Sequence, residues 1–175
     1  PDGLRVFVCG SASPLPAPGR AQACLAILTP GHFFVIDAGS GSANRLGLEQ
    51  LPLEHLDGVL LTHFHSDHIT DLPSINVQAW AGGHEGPLKI YGPPGVEQVI
   101  DGYNAALSQE RVYRWSHHGR DFMPPEYGLL EPVEHAVEAI LRFGELSITS
   151  FAADHSPVEP AVSYRVDYKG RSVVV

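Results

Sequence analysis

The chain has 175 residues, 43% of them hydrophobic, with 20 Asp and Glu against 11 Lys and Arg, for a formal charge of −9. That is the size and balance of one globular domain, and no apolar run approaches the ~18 residues a membrane-spanning helix needs. The negative charge, with Lys and Arg scattered singly, disfavours a nucleic-acid surface, and the 18 Gly and 15 Pro carry no period and mark turns in a loop-rich fold.

Residues 4–9 alternate and are rich in β-formers, so they predict a strand, followed by a Ser, Pro and Gly loop over 10–19. Residues 23–28 and 32–37 are apolar runs around Thr29-Pro30-Gly31 and predict a hairpin, which makes the first three strands antiparallel neighbours. Cys9 and Cys24 lie beside these strands, and two cysteines are too few for a zinc knuckle. They are either buried free thiols or a disulfide across the strand pair. A short helical pattern reaches Leu51, and residues 58–61 are apolar enough to be a strand buried on both faces. A helix is expected from Asp67 to about Trp80, with Pro73 tolerated only near its first turn. Residues 88–91 form the next strand, and Val96, Val99, Ile100, Tyr103 and Leu107 share one helical face. Residues 115–130, with Pro124 and Pro125, read as a surface loop. Strands follow over 137–143, 146–152, 161–168 and 172–175, with Lys169-Gly170 as a hairpin turn. No internal repeat is visible. The pattern describes one α/β layered domain over residues 1–175 with a mixed or antiparallel sheet. The absence of Met at Pro1 points to processing or trimming. The sequence leaves the location open between cytoplasmic and, if a signal peptide was removed before Pro1, periplasmic or secreted.

The chemistry concentrates in His63-Phe64-His65-Ser66-Asp67-His68. On an extended backbone, side chains at i and i+2 point the same way, so His63 and His65 can converge on one ion. Asp67 and His68 fall where strand gives way to helix and can be aimed at a second site. Imidazole and carboxylate suit Zn²⁺, Mn²⁺ or Fe²⁺. Asp154-His155 has a similar address at the end of the 146–152 strand, which makes His155 the third ligand for the first ion. Asp37 also ends a strand. It is either a carboxylate that holds a ligand histidine or the metal loop in place, or a turn-forming or helix-capping residue. His117 and His118 read as surface residues, and His32, His55, His84 and His135 have no neighbours in sequence that suggest chemistry. There is no G-x-S-x-G nucleophile motif, and Gly39-Ser40-Gly41 lacks phosphate-loop spacing.

Together, the segment from Thr62 to His68, the preceding Val35-Ile36-Asp37-Ala38-Gly39-Ser40-Gly41 and the following Asp154-His155-Ser156-Pro157 and Ser163-Tyr164-Arg165 resemble the metallo-β-lactamase-fold hydrolases. Within them the chain is most similar to the ribonuclease Z-like branch, as are Gly10-Ser11-Ala12-Ser13-Pro14 and Tyr91-Gly92-Pro93-Pro94-Gly95-Val96. The resemblance implies an αββα sandwich with a dinuclear site at one edge. His63, His65 and His155 then hold one metal and Asp67 and His68 the other. From the residues themselves, Asp67 and Asp37 are the candidate catalytic carboxylates, with Asp37 supporting the ligands. The family also places a bridging aspartate just after the strand that corresponds to residues 172–175, and a last histidine further on. Their absence implies that this chain is the N-terminal portion of a longer domain, or else a degenerate member that binds one ion.

The function this implies is a hydrolase in which a metal-bound hydroxide cleaves a small-molecule ester, phosphodiester, sulfate ester or lactone, with two Zn²⁺ per complete domain and Mn²⁺ or Fe²⁺ as alternatives. A ribonuclease Z-type tRNA 3′-processing endonuclease is the first rival, disfavoured by net charge and by the lack of a basic insertion. A non-catalytic module binding one metal is the second. The expected partner is a small-molecule substrate, with no membrane and with nucleic acid disfavoured; a homo-oligomer is compatible with the sequence.

Overall fold

A computed structural model describes residues 3–175, so the expectation about Pro1 lies outside the described residues. Strands β1 (Arg5–Gly10), β2 (Cys24–Leu28) and β3 (Phe33–Ile36) form an antiparallel meander. Strands β4 (Gly58–Leu60), β5 (Leu88–Gly92) and β6 (Leu130–Glu134) then add in parallel, which gives a mixed six-stranded sheet in chain order. Helix α1 (Ser42–Leu48) links β3 to β4, α2 (Ser66–Ile69) and α3 (Leu72–Gly82) link β4 to β5, and α4 (Val96–Ala106) and α5 (Ser108–His118) link β5 to β6. The second sheet is antiparallel, in the order β10-β9-β8-β7, from β7 (Ala139–Phe143), β8 (Leu146–Ala152), β9 (Val162–Tyr168) and β10 (Arg171–Val174).

The two-residue period of a strand explains the layers. In β3, Phe33 and Val35 face a core shared with Leu46, Leu72, Ile75, Val96 and Ile100 of the helices, while Phe34 and Ile36 face Ile148, Tyr164 and Val166 of the second sheet. The centre of the first sheet is therefore buried on both faces, and its strands β3 and β4 are apolar throughout. In β9, Val162, Tyr164, Val166 and Tyr168 are buried, while Ser163, Arg165 and Asp167 alternate with them on the other face. The buried helical side chains pack on the first sheet, and among the described residues no helix follows β6 to cover the outer face of the second, so three of the four expected layers are present.

Cys9 and Cys24 are joined in a disulfide between β1 and β2, which settles the alternative left open by the sequence. No helix is long and apolar enough to cross a membrane among the described residues.

Three expectations need correction. The single helix from Asp67 to Trp80 is two, broken at Thr70 and Asp71, because Pro73 sits at the start of α3 and disfavours helical backbone before it. The predicted loop over 115–130 begins as helix: α5 continues to His118 and a 3-10 turn follows at Pro125–Gly128. No residue of α5 is buried, so it has no core stripe to read; a Glu110–Arg114 pair at 2.7 Å, spaced i to i+4, supports it instead. Strand β6 is missing from the sequence reading because Pro132 lies within it. Proline is tolerated there because β6 is the sheet edge.

Candidate metal centre

Because β3, β4 and β5 are parallel, their carboxyl ends share one edge, and the loops after β3 and β4 meet there. Asp37 follows β3 with φ 59, a left-handed conformation that Asp accepts better than a branched residue, and its N–H donates to Leu60 O at 2.8 Å. The turn then passes directly against the loop after β4. A Cβ on Gly39 would overlap the Asp67 carbonyl oxygen, so this approach requires glycine. The second sheet is stitched to the same place by Val162 N–H, which donates to Thr62 O at 2.9 Å. The loop between β8 and β9 thereby brings His155 over the strand end.

The structure gathers His63, His65 and His155, whose ligand atoms all lie within 4.8 Å of one another. His63 is buried while the other two are exposed, so the cluster opens to solvent on one side. His63 Nε2 and His65 Nδ1 are 3.0 Å apart, near the ~3.3 Å edge of a tetrahedron built from Zn–N bonds of ~2.0–2.1 Å. Three imidazoles without a thiolate fit Zn²⁺ and admit Mn²⁺ or Fe²⁺. Asp67 and His68 stand beside the trio: the His63 and His68 rings are 4.1 Å apart by centroid, and His68 Nε2 is 3.6 Å from Asp67 Oδ2. Among the described residues these two have no third ligand grouped with them.

Asp37 organises this edge. Its Oδ1 accepts from Thr62 N–H at 2.9 Å, and its Oδ2 accepts from His68 Nδ1 at 2.7 Å and from the Thr62 hydroxyl at 2.9 Å. Thr62 has one hydroxyl hydrogen, and the carboxylate takes it. Thr62 Oγ1 then accepts from His63 Nδ1–H at 3.0 Å, which leaves the Nε2 lone pair of His63 for a metal. The same logic gives His68 a hydrogen on Nδ1 and a free Nε2. Burial, then the neighbouring His68 charge, depresses His63 to about 4, against the pull of Asp37, so it is a neutral ligand at ordinary pH. At His68, burial opposes the charge, but the hydrogen bond it donates to Asp37 and the charges of Asp37 and Asp67 outweigh it, and its pKa is raised. The Asx-turn and capping alternatives for Asp37 do not describe it.

A cleft of about 600 Å³ lies over this edge, walled by Ser11, Ser13, Leu25, Ala161 and Val162 as well as the site residues, with no Lys or Arg in its lining. His117 and His118 stack on each other, exposed, away from the cluster. The sequence reading missed two things. Thr62 stands in the motif, but its role depends on a carboxylate 25 residues away. His135, which looked isolated, is hydrogen-bonded to Tyr164, and no local signal could have joined them.

Comparisons with known proteins give the family. Residues 32–175 match the family described as the β-lactamase superfamily domain. The ribonuclease Z of Mycobacterium avium (strain 104) is 33% identical over 175 residues, covering 98% of this chain and 61% of that protein. That of Mycobacterium marinum is 30% identical, covering 98% and 62%. The chain thus spans about three fifths of the length of the curated relatives it matches. Among solved structures, the metallo-β-lactamase fold protein YhfI from Bacillus subtilis superposes with a TM-score of 0.73 at 24% identity, covering 99% of this chain and 62% of that one. Human tRNase Z, short form, gives 0.69 at 20% identity, covering 97% and 67%. With a family match over most of its length and two facing sheets that carry a histidine cluster at one edge, this chain belongs to the metallo-β-lactamase superfamily.

Proposed function

We propose that this chain supplies the metal-holding core of a phosphodiester-cleaving hydrolase of the ribonuclease Z kind. The convergence of His63, His65 and His155 at the sheet edge carries the reading, and the similarity to proteins named ribonuclease Z gives it its substrate class. His63, His65 and His155 hold one ion, and Asp67 and His68 contribute to a second. Asp37 fixes the hydrogen on His68 Nδ1 directly and that on His63 Nδ1 through Thr62, so both rings present Nε2. When bound, zinc supplies Lewis acidity and a nucleophile competent near neutral pH. No serine or cysteine nucleophile is then required.

A second reading, a small uncharged or weakly charged ester or lactone as substrate, is favoured by one observation. The cleft lining has no Lys or Arg, and the chain carries a formal charge of −9. The test is a substrate panel on the zinc-loaded protein: a precursor tRNA with a 3′ trailer, bis(p-nitrophenyl) phosphate, and a lactone, each with native and His65→Ala protein. Cleavage of the tRNA that is lost in His65→Ala supports the first reading. Turnover of the lactone without the phosphodiesters supports the second. Metal bound with no turnover of any substrate returns the chain to a binding module.

A further inference from the structure

The three clustered histidines come from two different sheets. His63 and His65 follow β4 of the first, and His155 lies between β8 and β9 of the second. Their spacing therefore depends on what fixes the end of β4 against β9. Two consecutive carbonyls there are gripped by β9. Thr62 O accepts the backbone N–H of Val162 at 2.9 Å, a bond any non-proline residue could make. Leu61 O accepts the Tyr164 hydroxyl at 2.8 Å, and this bond depends on the side chain. Tyr164 is fully buried among Phe34, Ile36, Leu60 and Val166, a place where a phenylalanine would fill the volume and a hydroxyl must be hydrogen-bonded to be tolerated.

The hydroxyl has one hydrogen, and a carbonyl can only accept, so that hydrogen goes to Leu61 O. The phenolic oxygen then accepts from His135 Nε2–H at 2.8 Å. Burial, and after it the Asp37 charge, hold the phenol well above its ordinary pKa, so it remains a donor. Of Ser163-Tyr164-Arg165, only the tyrosine points inward; Arg165 pairs with Asp167 on the other face.

We propose that Tyr164 is a positioning residue for the metal centre: its hydroxyl ties the strand end that carries His63 to the sheet that carries His155, and His135 holds that hydroxyl in place. This rests on the reading of His63, His65 and His155 as ligands of one ion.

The test is cobalt(II) titration of the native protein and of Tyr164→Phe, followed through the visible ligand-field bands. Tyr168→Phe, on the same buried face of β9, is the control. Tyr164→Phe should weaken cobalt binding about tenfold and alter the bands, as loss of a partner that supports a ligand does. Tyr168→Phe should leave both unchanged even if it lowers the melting temperature. His135→Ala should weaken binding in the same sense, and His135→Gln, whose amide can donate to the phenol, should restore it. If Tyr164→Phe does not fold by circular dichroism, the His135 pair decides, and equal native-like affinity in both overturns the proposal. Native affinity and spectrum in Tyr164→Phe, or a matching loss in Tyr168→Phe, also overturns it. Failure of the native protein to bind cobalt removes both this proposal and the ligand reading beneath it, whereas binding that ignores Tyr164 removes this proposal alone.

Discussion

Replacing Asp37 with Asn separates the charge of this residue from its shape. Asn accepts the left-handed backbone at φ 59 about as well as Asp does, so no backbone cost enters. The Thr62 N–H, 2.9 Å from Oδ1, requires the amide oxygen to occupy that position. The NH₂ group then falls at the place of Oδ2, 2.7 Å from His68 Nδ1. A donor there needs a lone pair opposite, so the His68 hydrogen moves to Nε2, the nitrogen otherwise free for a metal. Two consequences follow for the metal-free protein. The pKa of His68 falls, because burial remains while its hydrogen-bonded counter-charge is gone. Stability falls too. A raised folded-state pKa contributes stability that is fully present below 6.5 and lost as pH rises through the raised value. Hydrogen bonds to charged groups contribute about 1.5–3 kcal/mol, so Asp37→Asn should cost about 3 kcal/mol near pH 5.5 and about half of that in alkali. Urea unfolding at both pH values, with an NMR titration of the His68 ring, measures both effects. An equal cost at the two pH values together with an unmoved His68 titration would refute the claim that Asp37 sets this histidine's charge and tautomer.

What the sequence made legible follows its physical range. The H-x-H-x-D-H segment and the Asp154-His155 pair were readable because strand periodicity and strand-end position are local properties, and His63, His65 and His155 do meet. Strands β3 and β4 were readable because burial on both faces leaves a continuous apolar run. Helix α5 and strand β6 were hidden for the opposite reason: one buries nothing, and the other carries Pro132 on an edge that tolerates it. The role of Asp37 was only half legible. Its position after a strand was visible, but its choice between turn and support depended on Thr62 and His68, 25 and 31 residues away. The Tyr164–Leu61 bond spans 103 residues and joins two sheets, so no window of sequence contains it.

The remaining predictions concern ligands, protons and the disulfide. Alanine at His63, His65 or His155 should each lower zinc affinity about a hundredfold or more by equilibrium dialysis, while His117→Ala and His118→Ala leave it unchanged; equal losses across all five would refute the assignment. With metal chelated away, the protein should lose about 2–3 kcal/mol as pH falls from 6.5 to about 4, because unfolded His63 takes up a proton that the folded, depressed His63 refuses. His63→Asn should flatten that part of the urea-midpoint profile, and an unchanged slope would count against it. The Cys9–Cys24 bond closes a loop with a sequence separation of 15, for which chain entropy predicts about 3 kcal/mol of stabilisation. Both cysteines are almost fully buried, so substitution to Ala at both positions is a cleaner perturbation than a reductant, and melting should fall by about 6–12 °C. The loop so closed also supports the metal edge, because Gly39 N–H donates to Ala23 O and Gln22 N–H to Ser40 O, each at 2.9 Å. Loosening it should therefore weaken zinc binding as well as lower the melting temperature. A double variant that melts lower yet binds zinc with native affinity would show that the turn after β3 keeps its place against Asp67 without the disulfide.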